Sequence, residues 1–165
     1  MRPVALGLVF AVVVGMAASP GCASVEQGRV TLASADAGQF SMVSDALAPH
    51  CATLDCHGQV GRNLRLYWSR GLRVSPDDRP GEGDTTPDEY QQNYRSVRAL
   101  EPYKLDAVRK GSAPAESLLI VRKARGIEDH KGGAPLLAGS DPDRCLVSWL
   151  KGTVDEAACK SAVGP

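Results

Sequence analysis

The chain reads as an all-α domain, three to five short helices joined by long loops. Three observations predict this. Apolar residues recur at helical spacing in separate stretches: Phe40, Val43 and Leu47; Tyr90, Tyr94, Val97 and Leu100; Leu146, Trp149 and Leu150. Helix ends are marked by residues suited to cap them, Thr86-Pro87 with Glu89 in one place and Asp141-Pro142 with Gly152 in another. Stretches rich in Gly, Pro and Asp separate these segments, 59–86 above all. At 165 residues the chain suits one domain. With two Trp and two Phe its core is thin in large side chains, the situation in which small domains lean on covalent staples or a buried cofactor.

The first 21 residues stand apart from that domain. Arg2 precedes an apolar run from Val4 to Met16 and then small residues, the layout of a secretory signal peptide. The run is shorter than the ~20 residues of a membrane span. Gly21-Cys22 resembles the end of a bacterial lipobox, which implies lipidation of Cys22 as the new N-terminus; Ser19 and Pro20 depart from the usual residues there. Either form of processing sends the protein out of the cytoplasm into an oxidising compartment, with the lipid holding it to a membrane. Residues 22–39, rich in Ala, Ser, Gly and Gln with no sustained apolar period, read as a tether. The folded domain is expected over 40–160.

Phe40, Val43 and Leu47 predict a first helix of about three turns, ended by Pro49. Leu64, Leu66, Trp68 and Leu72 alternate weakly, compatible with a short extended piece, and 74–86 should be largely exposed. Thr86, Pro87 and Glu89 form a capping-box start for a helix that ends before Pro102. A short helix over 105–110, closed by Gly111, is expected next, and then another in 112–126 burying Leu118, Leu119 and Val121, a run whose pattern is also compatible with a strand. The last helix starts at an Asp141 N-cap and stops at Gly152. No internal repeat appears, so a single site is expected. Nineteen basic residues balance nineteen acidic ones, which leaves no charge excess to suggest nucleic acid.

The stretch from His50 to Gly58, HCATLDCHG, holds two of the five cysteines and two of the three histidines. Three chemistries use such a cluster: a haem tethered by thioethers at Cys51 and Cys56, a small Cys51–Cys56 disulfide loop, or a metal site. Attached haem requires a His directly after the second cysteine, as His57 follows Cys56, because the adjacent imidazole ligates the iron. The linker between the cysteines is four residues, Ala52 to Asp55, where the usual motif has two; a longer linker can bulge outward. A disulfide would suit an exported protein but gives no role to His57. A zinc site would need thiolates, which an oxidising compartment disfavours.

At these residues the chain resembles the cytochrome c family in its longer-linker variant. The resemblance extends over about 40–152: Ser117-Leu118-Leu119, His130-Lys131-Gly132-Gly133 and Trp149-Leu150-Lys151-Gly152 match short motifs of monohaem c-like domains, in family order. It implies one covalent haem c on Cys51 and Cys56, with His57 as proximal ligand. The family's distal ligand comes from a loop before the last helix, which here offers His130; Lys131 or an open position are the alternatives. Met42, the one methionine after Cys22, lies upstream of the motif, and His50 reads as a surface residue. Two histidine ligands would leave no open position for oxygen chemistry, so the resemblance implies electron transfer to a redox partner protein rather than an enzyme. The expected location is the periplasmic or outer-surface side, anchored to a membrane.

With Cys22 assigned to lipid and Cys51 and Cys56 to haem, Cys145 and Cys159 remain, and a disulfide between them is expected if the chain turns back after Gly152. The alternative from another class is a haem-free, disulfide-stapled lipoprotein acting as a binding or structural module. A haem sensor would need an exchangeable sixth ligand, which the 127–133 loop would have to supply.

Overall fold

The structure, a computed structural model, describes residues 37–163. Among the described residues are six α-helices and one 3-10 turn, with no strand: α1 Phe40–Cys51, α2 Pro87–Leu100, α3 Pro102–Arg109, the turn Ala115–Ser117, α4 Leu119–Ala124, α5 Asp141–Lys151 and α6 Glu156–Val163. The domain is therefore all-α, with six helices where the sequence predicts three to five. The signal segment, Cys22 and all but the last three residues of the tether lie outside the described residues.

The extra helix comes from local chemistry that periodicity does not reveal. In the tail, the Asp155 carboxylate accepts the Ala158 N–H at 2.9 Å, an N-cap that starts α6. Two boundaries also moved. Pro102 opens α3 instead of merely following α2, and Glu101 is the hinge residue between them. Pro49 lies inside α1. It removes one backbone donor, but Leu47, Ala48 and Ala52 around it are buried, and Ala52 N–H still reaches the Ala48 carbonyl at 2.9 Å. Packing holds the last turn, so the helix carries on as far as Cys51.

Helices α1, α5 and α6 pack most closely on one another. Phe40 of α1 meets Trp149 of α5 with ring centroids 4.8 Å apart, and Tyr94 of α2 completes the aromatic group. The Cys145–Cys159 disulfide joins α5 to α6 with both cysteines fully buried. Helix α5 ends at Gly152 in the left-handed conformation, which lets the chain double back toward α6. At its start Ser140, not Asp141, occupies the N-cap position. The buried acid there is Asp143, which accepts Arg125 Nε at 2.7 Å and the Gly139 N–H at 2.8 Å.

Helix α2 begins with the expected capping box, and Glu89 does more than cap. Fully buried, its carboxylate accepts Arg73 Nε at 2.8 Å and the N–H groups of Thr86 and Val74 at 2.8 and 3.1 Å. Burial pushes its pKa up, but Arg73 and these backbone donors pull it below the ordinary value. The same arginine bonds the carbonyls of Glu82 and Asp84, tying down a loop that is otherwise mostly exposed. The predicted extended piece at 64–72 does not become a strand. With no second strand to pair with, its backbone bonds α2 side chains: Tyr67 exchanges two bonds with the Asn93 amide, at 2.7 and 2.8 Å, and Arg65 N–H reaches Ser96 Oγ at 2.9 Å.

Candidate functional site

Cys51 is the last residue of α1, delivered by a helix whose other face is locked into the core. The chain then turns sharply. The His57 N–H bonds back to the Cys51 carbonyl at 3.0 Å, while Cys56 and Gly58 N–H both bond the Thr53 carbonyl, at 2.9 and 3.0 Å. These bonds bring both ends of the four-residue linker together. Leu54 and Asp55 are exposed, so the longer linker bulges outward as a loop can. Gly58 is required here: a Cβ on it would stand 2.4 Å from the Ala52 carbonyl oxygen. Cys51 and Cys56 are both free thiols, half-buried. Burial, then the neighbouring Cys56, push the Cys51 thiol up to about 12, so it stays protonated at neutral pH.

His57 Nδ1 lies 2.8 Å from the Leu64 carbonyl. A carbonyl can only accept, so Nδ1 carries the hydrogen and Nε2 is the nitrogen left to ligate. Burial lowers the His57 pKa; the Leu64 bond works the other way, and nearby His130 and Arg62 lower it further. The neutral imidazole that a metal requires is therefore favoured.

His130 comes from the 125–137 loop, which turns between α4 and α5. Its Nδ1 lies 3.3 Å from the Gly133 carbonyl, an arrangement that also leaves Nε2 free. Gly132 lets the loop approach the ring, since a Cβ there would meet His130 Cε1 at 3.1 Å. The two imidazoles, 73 positions apart in sequence, stand with centroids 5.9 Å apart and planes within 11° of parallel.

Both rings and Cys51 line a cavity of about 350 Å³. Its walls are largely apolar, Leu47, Leu66, Leu119, Ile120, Leu136 and Leu146 among them, with Arg62 and Lys123 also on the lining. Leu64, Leu100, Leu119 and Ile120 have the sequence character of core residues, yet all are only half-buried and all line this cavity. Leu119, expected in the core, belongs to this group. Apolar residues that open onto a cavity rather than onto one another are the arrangement that receives an apolar ligand.

Of the residues singled out in the sequence, Cys51, Cys56, His57 and His130 meet at one place. His50 is exposed, as expected, and Met42 sits half-buried on α1, outside the cavity lining. Among the described residues no group of three or more His, Cys, Asp or Glu side chains is placed so as to hold a metal ion. Arg62 and Lys123 were not foreseen; an isolated basic residue in a loop or a short helix carries no pattern that would mark it. Two nearly parallel imidazoles, a free thiol on the wall with a second beside His57, and a largely apolar cavity are the features a cofactor could use here. No helix among the described residues is long and apolar enough to cross a membrane. In comparisons with protein-family models, curated proteins and solved structures, nothing matches the chain.

Proposed function

We propose that this chain is an electron-transfer protein of cytochrome c-like fold, carrying one covalent haem c and exported as a lipid-anchored protein. The observation that carries the reading is the His57–His130 pair, two nearly parallel imidazoles 5.9 Å apart, in a cavity that Cys51 also lines. Bound there, a haem supplies reversible one-electron exchange at its iron. The chain's own residues do the rest. Cys51 and Cys56 offer the two thiols for attachment, at the two ends of a loop closed by the His57 N–H to Cys51 carbonyl bond. His57 and His130 would each have Nε2 left to hold the iron. The Leu64 carbonyl holds the His57 ring in one tautomer and orientation, as outer partners of ligating histidines do. The leucine walls keep water from the iron and lower the local dielectric. The bis-histidine set lacks the thioether ligand that raises potentials, so a comparatively low potential follows. The partner is a redox protein, not nucleic acid, and the anchor is a lipid on Cys22 that holds the domain at a membrane on the periplasmic or outer-surface side.

The test is a haem stain on a denaturing, reducing gel, with intact mass, of protein exported from a host that matures c-type cytochromes. A stained band carrying the mass of one haem is the expected result. An unstained band that gains two thiols at Cys51 and Cys56 only after reduction would make the protein a haem-free stapled lipoprotein.

A further inference from the structure

The segment 63–67 separates two cavities. Leu64 and Leu66 line the cavity described above, Arg65 and Tyr67 line a second one of about 260 Å³ against α2, and Asn63 lines both. The alternation follows from the segment's extended course along the helix. On the α2 side the lining is Gln92, Arg95, Ser96 and Ala99, residues one turn apart on one face. The segment is fixed in place by its bonds to Asn93 and Ser96, so the second cavity is preformed.

Its chemistry is one-sided. Arg65 and Arg95 both line this space, and no Asp or Glu does. Some arginines of this domain meet acids: Arg73 meets Glu89, Arg125 meets Asp143 and Glu116, Arg122 meets Glu128. Arg65 instead leans on Tyr67, with its guanidinium 5.9 Å from the ring centre, and among the described residues neither Arg65 nor Arg95 pairs with an acid. Two like charges facing one concave, partly desolvated space repel unless an anion joins them. The remaining lining side chains, the Asn63 and Gln92 amides and the Ser96 and Tyr67 hydroxyls, all offer hydrogen-bond donors. Planar guanidinium forks with neutral donors around them match the several oxygens of a phosphate or carboxylate.

We propose that this second cavity binds a small oxyanion, a phosphate- or carboxylate-bearing molecule, between Arg65 and Arg95. The site does not depend on haem and stands on the opposite side of the wall that holds His57.

The test is calorimetric titration of the full-length protein with inorganic phosphate and, separately, with citrate, against chloride at matched ionic strength. Saturable one-to-one binding of either anion, weakened at least tenfold by Arg95→Gln and by Arg65→Gln, is expected; which anion binds tells phosphate from carboxylate. Arg95 is exposed, so Arg95→Gln leaves the core untouched, and circular dichroism verifies that Arg65→Gln keeps its helix content. Lys151→Gln, which removes an exposed charge at the end of α5, should leave binding unchanged. No saturable binding of either anion, or an equal loss in Lys151→Gln, would overturn the proposal.

Discussion

Helix α1 has two differently made surroundings. Toward α5 and α6 it meets Trp149 and a disulfide-tied helix pair, and the space is filled. Toward the 52–66 and 127–137 loops it meets a cavity, and leucines that could have closed a core stand half-buried around two imidazoles. The filled side is what a small domain with few aromatic residues needs to fold. The open side is affordable because the filled side carries the stability, and its largely apolar lining suits the apolar group proposed for it. Substitutions on the two sides should therefore separate folding from function.

The largest effect is expected on the filled side. Trp149→Ala removes the centre of the aromatic group with Phe40 and Tyr94, and should destabilise the domain by about 3–5 kcal/mol in urea or thermal unfolding. Replacing Cys145 and Cys159 together by Ala opens a loop spanning 14 positions and should cost about 3 kcal/mol, seen as a lower melting temperature with unchanged helix content.

Acid should reach two groups in sequence, His57 beside the cavity and Glu89 on α2. The His57 pKa is lowered in the fold from its ordinary value of 6.5, so below pH 6.5 the unfolded chain gains a proton that the folded one resists. Stability of haem-free protein should fall as pH drops through that value, a step that His57→Asn removes. Glu89 is lowered in the fold from 4.5, so its contribution is present above pH 4.5 and lost as pH falls below it. Glu89→Gln should remove that second step and leave Arg73, 4% exposed, without its buried charge partner, with the more exposed Asp78 as its remaining acid. Unfolding midpoints measured from pH 7 to pH 3.5 read both steps. The smallest effect belongs to His130→Ala, which should change the unfolding free energy of haem-free protein by less than about 0.5 kcal/mol, since the ring makes one long bond to its own loop.

How far the sequence foretold this follows from the range of each interaction. The Thr86–Glu89 capping box and the Gly152 stop are interactions within a few residues, and both stand as read. The closeness of Cys51, Cys56 and His57 is written in the chain itself. The approach of His130 to His57 is a long-range outcome; only the resemblance to a family pattern pointed to it. What went unread was mostly polar and buried. Asn93 and Glu89 lie on the core side of α2 because they replace missing strand and loop partners for 65–74, a role no periodicity scan detects. Asp155 looked like one more surface acid until its bond to Ala158 made it a helix start.

The claim that the open side holds one iron between His57 and His130 is tested most directly by the optical spectrum of haem-loaded protein beside His130→Ala. Loss of the distal imidazole should convert a six-coordinate, low-spin spectrum into one of an open or weakly ligated iron, with the haem still covalently attached. Identical spectra in the two proteins would contradict the account and reduce His130 to a loop residue beside the cavity.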